Sequence, residues 1–108
     1  MLNFTKDQWL GNNWMSIEIK PVAATYMLPI LWHLSKTYHF EMPKIVDTLD
    51  GYTTQFEVLR SAAMLLIDNW TFSIAFENGI VRVQVLTELC SLPENYFEQK
   101  SGTILERE

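Results

Sequence analysis

Asn78-Gly79, set between two alternating runs, constrains the fold of this chain more than any other feature. The stretch reads Trp70-Thr-Phe-Ser-Ile-Ala-Phe-Glu-Asn-Gly-Ile-Val-Arg-Val-Gln-Val-Leu86. Both loop positions of a type I′ turn need φ > 0, and Asn-Gly tolerates this best. A hairpin over 70–86 is therefore expected, with Phe76 facing Val81, Ile74 facing Val83 and Phe72 facing Val85. Those side chains share one face, because neighbours along a strand point to opposite sides. Thr71, Ser73, Ala75, Arg82 and Gln84 share the other. One apolar and one largely polar face describe a half-buried antiparallel sheet. A lone hairpin is only marginally stable, so the rest of the chain has to cover the apolar face.

Two helices are the candidates for that cover. Thr54-Gln-Phe-Glu57 has the pattern of a capping box, with Thr54 as N-cap. Phe56, Leu59, Ala63, Leu66 and Trp70 follow at helical spacing, which predicts a helix to about Asn69. Earlier, Pro21 suits a first helical turn, and Val22, Tyr26, Ile30 and Leu34 recur four apart, which predicts a helix fading near Tyr38. Pro29 lies inside that pattern and is expected to kink or split it.

The remaining segments are shorter. Residues 1–11 alternate weakly, with Asp7 placed to cap a short turn, and Gly11-Asn12-Asn13 reads as a loop. Trp14-Met-Ser-Ile-Glu-Ile-Lys20 alternates and predicts a strand with Ile17 and Ile19 inward. Pro43 is placed to open a short helix through Leu49, stopped at Asp50-Gly51. Thr87 to Leu92 reads either as strand or as helix. Ser91-Leu-Pro-Glu94 resembles a second capping box, opening a short helix through Lys100. Gly102 ends it, and a frayed tail follows from about 102. The expected architecture is α+β: a small antiparallel sheet with helices on one face, in a single domain over 1–108.

Composition bears on function mainly by exclusion. The net charge of −5 opposes direct nucleic-acid binding, which needs clustered Lys and Arg. A single cysteine, Cys90, rules out an intrachain disulfide or a multi-cysteine zinc site, and its apolar context suggests a buried thiol. No apolar run is long enough to span a bilayer, and no charged leader precedes one, so a cytoplasmic location is expected. His33 and His39, the two histidines, are six apart and lack ligand partners nearby, so no metal is expected. No Gly-x-Ser-x-Gly elbow or phosphate-cradling glycine loop occurs, and no cofactor is expected. Asp47 and Asp50 read as solvated cap residues, there being nothing adjacent to perturb them.

Binding is better represented. Glu41, Asp47, Asp50 and Glu57 cluster in sequence with only Lys44 and Arg60 among them. They form either an acidic patch for a basic partner or a merely solvated face. Tyr38, Phe40, Tyr52, Tyr96 and Phe97 lie in or near loops, where they serve an interface or finish the core. The candidate contact set is Glu41, Asp47, Asp50, Glu57, Tyr38 and Tyr52.

In size, acidity, want of a catalytic motif and α+β layout, the chain resembles the immunity proteins of bacterial toxin systems, such as those of contact-dependent growth inhibition. That resemblance rests on style rather than on a motif, and assigns no residue a role. It implies a non-enzymatic protein, monomeric or weakly dimeric, that binds a cognate toxin domain, often a basic nuclease, and occludes its active site. A large polymorphic toxin gene directly upstream would support it. The chain is also similar in scale to the small acidic dimers of the type III secretion chaperones, with Leu92-Pro93-Glu94 following an apolar run, but its pattern gives no convincing long N-terminal helix like theirs. A stable dimer in light scattering would favour that reading.

Overall fold

A computed structural model describes residues 2–98. Strand β1 (Asn3–Gln8) turns back into β2 (Met15–Lys20), and a 3-10 turn (Ala24–Tyr26) leads into helix α1 (Met27–Tyr38). Strands β3 (Val46–Asp47), β4 (Tyr52–Val58), β5 (Ser61–Ile67) and β6 (Phe72–Phe76) follow, then helix α2 (Gly79–Cys90). Among the described residues all pairings are antiparallel, and six strands lie in the order β1-β2-β6-β5-β4-β3. The α+β class and the antiparallel sheet stand as expected.

Alternation explains the layers. Ile17 pairs with Ile74 and Ile74 with Leu65, while Phe76 pairs with Ala63, so their side chains share one face. Met27, Ile30, Leu31 and Leu34 of α1 and Val81, Val85 and Leu89 of α2 join the same buried cluster. Both helices therefore cover one face, where α1 was expected and α2 was not. The opposite face carries Ser16, Ser73 and Ala75, all buried. There the Trp9 indole Nε1–H donates to Ser73 Oγ at 2.9 Å.

The 70–86 hairpin is not formed. Its first half is a strand, β6, but its second half is helix α2. Strands β2 and β5 occupy both edges of β6, so a returning strand has no edge to join. The Asn78 side chain instead accepts from the Ile80 N–H at 2.9 Å, which satisfies a free donor of the first helical turn. Val81, Val85 and Leu89 recur four apart and bury against the sheet. Arg82 ties the helix to the β1–β2 hairpin: its Nη1 donates to the carbonyls of Ser16 at 3.1 Å and Asp7 at 3.3 Å.

The helix expected over 54–69 is instead the β4–β5 hairpin. Ala63, Leu65 and Ile67 are buried at a spacing of two, and that alternation prevails over the helical stripe. Thr54 caps nothing; buried, its hydroxyl donates to the Lys44 carbonyl at 2.6 Å. The two-residue turn is Leu59-Arg60, with φ of 51° and 66°. The positive-φ turn anticipated at Asn78-Gly79 thus exists, built of residues that resist it. Left-handed backbone costs a non-glycine residue roughly 1–2 kcal/mol. Replacing Leu59 by Asn and Arg60 by Gly together should raise stability by about 1 kcal/mol, measured by urea unfolding. An unchanged or lower midpoint would refute the strain.

Smaller differences have local causes. Helix α1 starts at Met27, so Pro29 falls in its first turn, where the missing N–H costs no helical bond. His39, with φ of 60°, closes α1. The helix expected from Pro43 to Leu49 is absent: residues 41–45 are irregular and Val46–Asp47 pairs with β4. Residues 1–11, read as weakly patterned, contain β1, where Asp7 pairs with Ser16. Ser91 ends α2 rather than opening a helix; residues 96–98 are helical, the turn before them closed by Tyr96 N–H to the Pro93 carbonyl at 3.1 Å. The expected end at Lys100 and the tail from 102 lie outside the described residues.

Candidate functional site

Three connections meet at the end of the sheet where β2 finishes and β6 begins. The β3–β4 loop is closed by the Thr48 N–H donating to the Gly51 carbonyl at 2.9 Å. The β5–β6 loop is closed by Asp68, whose Oδ1 accepts from Trp70 N–H at 2.8 Å and Thr71 N–H at 2.7 Å. The segment leaving β2 brings Val22 and Ala24 alongside both. Thr48, Leu49, Asp50, Asn69 and Trp70 of these loops are exposed, while Asp68 folds back onto its own loop.

Apolar side chains are exposed in these loops and on the strands beside them. Leu49 is 98% exposed, Trp70 71%, Val46 49% and Tyr52 37%. Val46 pairs with Thr53 and so faces the other side of the sheet from Tyr52, while Leu49, Trp70 and Tyr52 stand exposed among polar loop residues, the setting of a contact surface. Asp47, the last residue of β3, pairs with Tyr52, Asp50 lies in the loop that follows, and Asp50 and Asp68 line one cleft. Two clefts open here. One, of about 250 Å³, has Asp50, Gly51, Asp68 and Asn69 in its walls. The other, of about 410 Å³, is formed by Met27, Leu28, Ile45 and Tyr52 and is largely apolar.

Of the candidate contact residues, Asp47, Asp50 and Tyr52 come together here. Glu57 does not join them. It lies five residues along β4, roughly 17 Å at the strand rise, and faces the opposite side of the sheet from Tyr52. Glu41 is exposed in the loop after α1, beside a groove formed with Trp32, Lys36 and His39. Tyr38 is half-buried near Glu88 of α2. Burial, and secondarily the Glu88 carboxylate, raise its hydroxyl above the ordinary value of 10.0. Phe97 is buried in the core, and Phe40 stacks on Phe56 at 5.2 Å, so these aromatics finish the core.

Tyr38 therefore links stability to alkaline pH. Above about pH 10 the unfolded chain releases this proton before the folded one does, so stability is full below pH 10 and falls as pH rises. Wild-type protein should therefore lose more stability between neutral and strongly alkaline pH than Tyr38→Phe. Equal alkaline losses in the two, followed by urea unfolding, would contradict the assignment.

Sequence reasoning missed a polar cluster between the helices. His33 Nε2 lies 2.8 Å from Glu88 Oε2, and His33 Nδ1 lies 3.2 Å from the Tyr96 hydroxyl. The Tyr96 ring meets the imidazole edge-on at 5.2 Å. These residues clamp α1, α2 and the following turn together, and only the fold brings them close. Cys90, expected to be buried, is exposed at the edge where α2 meets β1, its Sγ 3.9 Å from the Phe4 carbonyl. Among the described residues, no group of three His, Cys, Asp or Glu is placed to hold a metal ion, and no helix is long and apolar enough to cross a membrane.

Fold and site together define a small α+β protein whose sheet end presents carboxylates and apolar side chains side by side. No protein-family model, curated protein or solved structure matches the chain.

Proposed function

We propose that this chain is a non-enzymatic binding protein that neutralises a cognate bacterial toxin domain, a basic nuclease, by covering its active site in the cytoplasm. The observation that carries the reading is the sheet end, where Tyr52, Asp50 and Asp68 line one cleft, Asp47 pairs with Tyr52, and Leu49 and Trp70 of the two flanking loops are exposed. A nuclease concentrates Lys and Arg where it grips phosphates. Carboxylates complementary to that field speed encounter and fix the docking register. Aromatic and aliphatic side chains at the centre of such a patch supply the desolvated contact that holds the complex.

The test is co-purification with the product of the neighbouring gene, followed by affinity measurement on variants. Asp47→Lys combined with Asp50→Lys should weaken binding by roughly 100-fold, and added salt should weaken the wild-type complex. Glu57→Lys, at the far end of β4, should have a much smaller effect. Far-UV circular dichroism should be unchanged in all three proteins. Affinity indifferent to both the double reversal and to salt would sink the proposal.

A further inference from the structure

The two clefts at the sheet end are neighbours. Ala24 and Tyr52 belong to the walls of both, so the tyrosine stands as the partition between them. On one side the cleft is apolar, formed by Met27 and Leu28 of α1 and by Ile45. On the other, Asp50 and Asp68 contribute carboxylates, and the wall contains no Lys, Arg or His. At about 250 Å³, this acidic cleft falls below the roughly 300–1,000 Å³ of small-molecule sites and suits one side chain. A cation there gains from two carboxylates and from the adjoining tyrosine ring. Asp68 already holds its own loop through Oδ1, so its position is set before a ligand arrives.

We infer that this face is a two-pocket docking site for one partner segment. The segment places an aliphatic side chain between α1 and Ile45, and an arginine or lysine between Asp50 and Asp68. The inference rests on the binding reading above and names the chemistry of its partner. Residues i and i+2 of an extended segment point the same way, about 7 Å apart, and span neighbouring pockets of this kind.

The probe is a capped tripeptide, leucine-glycine-arginine, titrated into the isotope-labelled protein and followed by amide chemical shifts. Saturable shifts are expected at Ala24, Leu28, Gly51 and Asp68. The same peptide with glutamine for arginine should bind about tenfold more weakly, a loss of about 1.4 kcal/mol. The double variant Asp50→Asn, Asp68→Asn keeps side-chain shape and a carbonyl oxygen for the loop bonds, and should lose the same factor. Tyr52→Ala should abolish binding of either peptide. Equal affinity for the arginine and glutamine peptides, shifts confined to another face, or no saturable shift by about 10 mM would overturn the inference. The two readings fail separately. A neutralised toxin bound equally well by the double variant, with no tripeptide binding, removes the two-pocket site and leaves the binding function. Tripeptide binding as described, with no toxin neutralised, removes the neutralising function and leaves the site.

Discussion

Phe76→Ala is expected to lower the unfolding free energy by about 4 kcal/mol, a large share of the ~5–15 kcal/mol of a domain this size. Phe76 ends β6, the central strand, every residue of which is buried. Opposite it lie Met15 on β2 and Ala63 on β5. The small Ala63 leaves room for the ring, so nothing on that side can swell into the space when the ring is gone. Strands paired on both edges of β6 hold the backbone in place, and the cavity stays open. Urea unfolding should show a much lower midpoint with an unchanged slope, the mark of lost stability rather than altered compactness. A loss under about 1 kcal/mol would mean that the ring is not packed as described.

Gly51→Ala should cost about 3 kcal/mol for a different reason. A Cβ built at Gly51 falls 2.0 Å from the Ile67 carbonyl oxygen and 2.9 Å from Asp68 Cα. The obstacle is backbone, so no side chain can swing aside. Relief requires parting β4 from β5 at their first rung, where Tyr52 pairs with Ile67. That movement also separates Asp50 from Asp68, so partner binding should fall together with stability. Gly11→Ala is the control: its Cβ would meet nothing within 4 Å, and its stability should stay within about 0.5 kcal/mol of wild type. Equal behaviour of the two variants would disprove the close approach at Gly51.

Some elements were legible from pattern alone. Met15–Lys20 alternates and is a strand, and the spacing of Ile30 and Leu34 announces α1 up to Tyr38. Phe72, Ile74 and Phe76 place β6 and its buried face. Two segments carried both periodicities at once. Between Thr54 and Trp70, Phe56, Leu59, Ala63 and Leu66 suit a helix while Ala63, Leu65 and Ile67 suit a strand. From Ile80 to Leu89, valines at every second position suit a strand, yet Val81, Val85 and Leu89 suit a helix. A local pattern holds no term for which sheet edges are free, so it cannot choose between them. The site divides the same way. Asp47, Asp50 and Tyr52 were grouped from sequence only within a wider set with Glu41, Glu57 and Tyr38, which the fold places elsewhere. Asp68 and the α1 wall of the apolar cleft reach them only through the strand order.

By itself the sequence determined that apolar positions on Ile17, Ile19, Phe72, Ile74 and Phe76 would fall on one side of an antiparallel sheet, and that a helix would have to cover them. It also set Glu41, Asp47, Asp50 and Glu57 close together along the chain, as either an acidic patch or a solvated face. The tertiary structure alone decided that Ser61–Ile67 would pair beside β6 and that Gly79–Cys90 would become the second covering helix. The reason is occupancy. Once β2 and β5 take both edges of β6, its own continuation can bury Val81, Val85 and Leu89 only by coiling back across the face.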